Sequence, residues 1–215
     1  MIPETVRLLI LETTKVGEKS LVLHTLSPQW GRRSFIVTAG KGMAMYLPLN
    51  ILDAEVIRNG KSDLWRLKGI SAAHPLNGIR SSVAKNAIAM FMSEVLYRAV
   101  RDGVCCDGFF EWCEKSILTL DALQSDWANF HLRWLLELAG ALGFSPSAAD
   151  LAPFAGEHFQ TLERMLGLSF GECLLMPLNR TQRNAAARVL LDYIGFHTDC
   201  KLDIRSLGVL KELFD

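Results

Sequence analysis

The sequence has no C-x-x-C pair, no H-E-x-x-H, no nucleophile elbow and no apolar run of membrane-spanning length. Each gap removes a class of function. The apolar stretch "RLLILETT" stops at Glu12, too short for an export signal's apolar region, and "RWLLELAGALGF" is interrupted by Glu137. A cytoplasmic protein is expected. The five cysteines, Cys105, Cys106, Cys113, Cys173 and Cys200, are odd in number and include an adjacent pair. Reduced thiols behaving as small hydrophobes fit that better than a disulfide framework. No set of four ligands has workable spacing, so no zinc is expected. His24, His74, His131, His158 and His197 are scattered, and "GKG" at residues 40–42 lacks the glycine spacing and following helix of a phosphate loop. With no nucleophile, base and orienting group in one place, neither catalysis nor a cofactor is expected.

Net charge is also absent overall, yet its distribution is uneven. Residues 1–80 carry eleven Lys and Arg against six Asp and Glu, a net of +5. Residues 81–215 carry twelve against seventeen, a net of −5. A basic front and an acidic back suggest two domains with different tasks. The front half could attract a phosphate backbone, although accidental surface charge would look the same.

The front half alternates with the period of strands. "VRLLILETT", "KSLVLHTLS", "RRSFIVTAG", "PLNILDAEVI" and "LWRLKGI" are separated by glycine, proline and asparagine turns. Phe35 and Val37 share one face of their strand. Trp65 and Leu67 share one face of the last strand, and Leu64, Arg66 and Lys68 the other. Five short strands predict a small barrel, OB-like or SH3-like. From "SAAHPLNGIRSS" onward the period becomes helical, with Pro75 and Gly78 marking a junction. Val83, Ala87, Met90, Phe91 and Val95 line one predicted helix, and Phe110, Cys113, Ile117 and Leu120 a second. "DWANFHLRWLLELAGALGF" forms a third, "EHFQTLERML" a short one, "TQRNAAARVLLDYIGFHT" a long one starting at Thr181, and "IRSLGVLKELFD" a last. The fold class is therefore α+β: an N-terminal five-stranded OB-like β-barrel over residues 1–78 and an all-α helical domain over residues 79–215.

A barrel that binds nucleic acid needs cations for phosphates and flat side chains for unstacked bases. Arg32, Arg33, Lys41, Arg58, Lys61, Arg66 and Lys68 supply the first. Trp30, Tyr46 and Trp65 could supply the second. Trp65 fits core packing at least as well, because it shares a face with Leu67. Trp30 stands in a Pro/Gly turn beside Arg32 and Arg33, where an exposed ring next to two cations suits a nucleic-acid strand. The two arginines could equally be solvated turn charge.

These same residues carry a family resemblance. "GEKSLVLHTLSPQWGRRSFIVTAGKG" resembles the N-terminal segment of RecO, the bacterial recombination mediator. "LPLNILDAEVI" is similar to that family's next strand. "HLRWLLELAGALGFSP" resembles its central helix, and "LLDYIGFHTDCKLDIRSLGVLKEL" its C-terminal segment. The four stretches occur in matching order over nearly the whole chain. The resemblance implies an OB domain, a helical domain, binding of single- and double-stranded DNA, and annealing of complementary strands. It implies RecR and the acidic tail of the single-stranded-DNA-binding protein as partners, with RecA recombinase loaded indirectly.

Two departures accompany it. The stretch after the glycine, usually rich in Lys and Arg, here reads "KGMAMYLP". Some relatives carry a four-cysteine zinc module, whereas residues 144–176 contain only Cys173. The expected DNA contacts are Arg32, Arg33, Lys41, Arg66 and Lys68. For the partner tail the expected cation is Arg133, in an otherwise apolar helix that the resemblance also points to. An ordinary ion pair with Glu137, four residues on, is the plainer role for it. The alternative to a DNA-binding mediator is a protein-binding adaptor with little direct DNA contact.

Overall fold

The computed structural model describes residues 4–40, 42–58, 63–103 and 107–214. Strands β1 (Glu4–Val16), β2 (Ser20–Ser27), β3 (Gly31–Thr38), β4 (Ile51–Ile57) and β5 (Trp65–Ala72) close into a barrel in the order β1-β2-β3-β5-β4. Alternation in the sequence decides what faces inward. Val6, Leu8 and Ile10 of β1, Leu21 and Leu23 of β2, Phe35 and Val37 of β3, Leu52, Ala54 and Val56 of β4, and Leu67 of β5 form one buried cluster. Burial of each large aliphatic side chain there contributes roughly 1.5–3 kcal/mol.

β1 serves two partners. Glu4–Leu9 pairs with β4, and Leu9–Val16 pairs with β2. A register shift between Ile10 and Glu12 lets the strand bend from one to the other. The closure is a short parallel pairing of β3 with β5, Phe35 opposite Trp65 and Ile36 opposite Arg66. This order, with a parallel β3–β5 contact, is that of an OB-type barrel and removes the SH3-like alternative.

The helices are α1 (Asn77–Ser81), α2 (Val83–Ala99), α3 (Phe109–Ala122), α4 (Phe130–Ala141), α5 (Ala148–Ala155), α6 (Phe159–Gly167), α7 (Phe170–Leu175), α8 (Arg180–Thr198) and α9 (Ser206–Leu213). The chain divides into two compact units, residues 1–77 with 100–117 and residues 78–99 with 118–215. Residues 100–117 are pinned to the barrel. Arg7 reaches Asp53 at 2.9 Å and Glu114 at 3.4 Å, His74 meets the same Glu114 at 3.3 Å, and the Gly103 N–H donates to the Arg32 carbonyl at 2.9 Å.

Within the second unit α2 packs on α9, and α4 on α8. Phe91, Phe130, Trp134, Leu135, Leu190 and Ile194 are fully enclosed there. At its centre, Asn129 Nδ2 donates to the carbonyls of Cys173, Leu174 and Met176, at 3.2, 3.3 and 2.7 Å. Its Oδ1 accepts from Arg183 Nε at 3.0 Å, and Arg183 also donates to the carbonyls of Phe214 and Leu178.

Several expected details differ. Val83 and Met90 are exposed, because the buried side of α2 is centred on Ile88, Met92 and Val95 rather than on the stripe through Met90. Gly78, expected at a junction, lies in α1 so close to α3 that a Cβ would stand 2.0 Å from the Asp121 carbonyl oxygen. Helix α8 starts at Arg180, one residue earlier than expected, capped by Asn179 and Gln182. Helices α5 and α7 were not anticipated. Each begins with a capping box, Ser147 with Asp150 and Ser169 with Glu172. Those S-x-x-D and S-x-x-E spacings were the signal available in the sequence.

Candidate nucleic-acid interface

β3 places its two arginines on alternate sides, because successive residues of a strand point to opposite faces. Arg32 turns toward residues 100–102. Its Nη1 donates to the Val100 carbonyl at 2.8 Å, and its Nε lies 2.8 Å from Asp102 Oδ1. Only 18% of its side chain is exposed, against 74% for that of Asp102. Arg33 turns the other way. Its guanidinium carbon sits 3.5 Å from the centre of the Trp65 ring, and its Nη2 donates to the Asp63 carbonyl at 3.1 Å. The sequence treated the two as one cationic pair, whereas the strand pleat gives them different neighbours.

Trp30 is not the bare ring that its turn suggested. It is half-buried against the barrel core, 6.0 Å from Phe35 and edge-on to Trp65 at 5.4 Å. Its backbone N–H donates to Ser27 Oγ at 3.1 Å, which fastens the turn. Trp65 packs on the same cluster as expected. The sequence missed Arg58 as a member of this group. It lies 4.7 Å from the Trp65 ring and 5.7 Å from the Trp30 ring, and pairs with Glu4. It had been counted among the cations, but it lies just beyond β4 and nothing in the sequence says that it stands over either ring.

Arg66 and Lys68 are exposed on the outer face of β5, as the alternation predicted. Arg66 stands opposite Ile36 and Ile57, and Lys68 opposite Glu55. Lys41 and Lys61 lie outside the described residues. Tyr46 is half-buried against the barrel core, and desolvation raises its pKa. The structure thus gathers Arg33, Arg58, Trp30 and Trp65 at one end of the barrel, sets Arg66 and Lys68 along β5, and gives Arg32 a separate setting.

His24, also on the barrel, stands between Thr14 Oγ1 at 3.2 Å and Ser34 Oγ at 2.8 Å. Desolvation lowers its pKa, so it adds no standing positive charge.

In the helical unit, Arg133 of α4 has two partners. Its Nε lies 2.8 Å from Glu137 Oε1, and its Nη1 donates to the Leu168 carbonyl at 3.0 Å. About a fifth of the side chain, 21%, remains exposed. Phe130 and Trp134, on the same helix, are each 1% exposed and belong to the unit's own core. Among the described residues no three of His, Cys, Asp and Glu converge as a metal site would require. Nor is any described helix long and apolar enough to cross a membrane.

Comparison with known proteins matches residues 80–150 to the family described as Recombination protein O C terminal. The DNA repair protein RecO of Bacteroides fragilis is 28% identical over 245 residues, covering 100% of both chains. That of Flavobacterium psychrophilum is 29% identical over 231 residues, covering 96% of this chain and 97% of its own. That of Porphyromonas gingivalis is 24% identical over 240 residues, covering 97% and 98%. The chain is thus similar from end to end to several proteins named DNA repair protein RecO, and it carries a closed OB-type barrel that leads into helices.

Proposed function

We propose that this protein is a non-catalytic mediator of DNA repair and recombination. Its barrel binds single- and double-stranded DNA, and it anneals complementary strands and, with RecR, promotes loading of RecA. The observation that carries the reading is the basic, aromatic-backed end of the barrel, where two guanidinium groups meet two indoles beside the exposed Arg66 and Lys68. Cations reduce repulsion between two phosphate backbones, so complementary strands can approach. Arg33, Lys41, Arg66 and Lys68 contact phosphates in this reading. Arg32 adds to the field after part of its charge is met by Asp102. The barrel of residues 1–78 and the helical domain of residues 79–215 divide the work. The helical domain holds the acidic, aromatic-ended tail of the single-stranded-DNA-binding protein, and Arg133 faces its carboxylate.

Titration of a labelled single strand at several salt concentrations tests this. Affinity should fall steeply with salt, because each neutralised phosphate contributes a slope of about −0.7 on a log–log plot for single strands. A second reading, the protein-binding adaptor, draws support from the internal partners of Arg32 and the sparsely basic "KGMAMYLP". Weak binding with no salt dependence would favour it.

A further inference from the structure

We propose that Trp65 is a stacking surface for an unpaired base of the bound strand, and that Arg58 is its displaceable cover. The inference rests on the DNA-binding reading and gives it a specific seat. The Trp65 ring is held from several sides. It packs on the barrel core, meets the edge of Trp30 at 5.4 Å, and carries the Arg33 guanidinium at 3.5 Å from its centre. Arg33 is itself fixed by the Asp63 carbonyl, and its Nε is buried without a hydrogen-bond partner. Such a ring is ordered before any strand arrives, so stacking on it costs little conformational freedom.

Arg58 is held differently. It lies farther from the ring, at 4.7 Å, and its described polar partner is Glu4. That pair is open to water, with side chains 51% and 43% exposed, and exposed pairs add little. A base can replace Arg58 over the indole, and Arg58 can then turn its charge to the adjoining phosphate. Stacking on an aromatic face tolerates every base, which suits a protein that must meet any sequence. The arrangement also keeps the indole covered in the free protein.

The test compares oligo-dT with an abasic strand of equal length and equal charge, each binding the full chain at fixed salt. Oligo-dT should bind about tenfold more tightly, since one stacked base contributes roughly 1–3 kcal/mol. Trp65→Leu should bring the ratio near one, Trp65→Phe should keep part of it, and Arg58→Met should raise it. Because the parent comparison needs no variant, a misfolded Trp65→Leu would not spare the proposal. Equal affinity of the parent for both strands overturns the stacking seat and leaves the DNA-binding reading standing. An unchanged ratio in folded Trp65→Leu assigns any preference to another ring and also overturns it. Failure of the parent to bind either strand sinks the DNA-binding reading itself.

Discussion

Arg32 and Asp102 form an ion pair, with Nε and Oδ1 2.8 Å apart, that ties β3 to the segment following α2. The same guanidinium donates to the Val100 carbonyl. Arg32→Ala should therefore lower stability by about 1–2 kcal/mol, through a lost charge-assisted hydrogen bond and an emptied partner. It should flatten the salt dependence of DNA binding by less than one phosphate contact. Arg33→Ala should flatten it by about one. Urea denaturation and oligonucleotide titration, run on both variants, check the division. Equal effects of the two variants in both measurements would refute it.

Arg133 bears on the partner tail. Arg133→Ala should weaken binding of an acidic, aromatic-ended peptide by roughly 2 kcal/mol or more, because its charge would be desolvated against the carboxylate. Fluorescence anisotropy at fixed salt measures this. Parent-like affinity would leave Arg133 with only its observed partners, Glu137 and the Leu168 carbonyl.

The buried pair Asn129 and Arg183 governs how the helical unit holds together. Asn129→Ala leaves three carbonyls and the Arg183 Nε without their shared partner. A loss of about 3 kcal/mol is expected, the scale for stranding buried polar groups beside a charge. Thermal and urea unfolding followed by circular dichroism should show it, and a shift below about 1 kcal/mol would mean that water replaces the amide.

His131 makes stability depend on acid. It is fully enclosed, between Phe91 and Phe214, and its pKa is pulled down to about 3, chiefly by burial and then by the positive Arg183. The unfolded chain takes up a proton near pH 6.5, whereas the folded protein does not until near pH 3. The unfolded state thus binds more protons in that interval, and stability must fall as pH falls. It is complete above about pH 6.5 and drops by up to about 1.4 kcal/mol per pH unit below it. His131→Gln should remove this contribution. Urea midpoints across the interval, compared between parent and variant, would show equal slopes if another group were responsible.

Strand alternation made the barrel legible. Phe35, Val37 and Leu67 face inward and Arg66 and Lys68 outward, as period two requires. The core stripe Phe110, Cys113, Ile117 and Leu120 was equally readable, because residues three or four apart share one helix face. Much of the candidate site was less so. Arg33 and Arg58 reach Trp65 from β3 and from beyond β4, and only barrel closure brings them together.

What the sequence determined by itself was therefore periodic and local: which residues alternate, where turns fall and where cations concentrate. The tertiary structure decided what depends on distant segments meeting. It paired β3 with β5 in parallel and so chose the OB-type order. It paired Arg32 with Asp102 and laid Arg33 on an indole, although the two are neighbours with the same charge. It enclosed Arg183 around Asn129 rather than leaving it on a helix surface. A side chain's partners are fixed by closure and packing, and neither composition nor periodicity encodes which remote atom will stand 3 Å away.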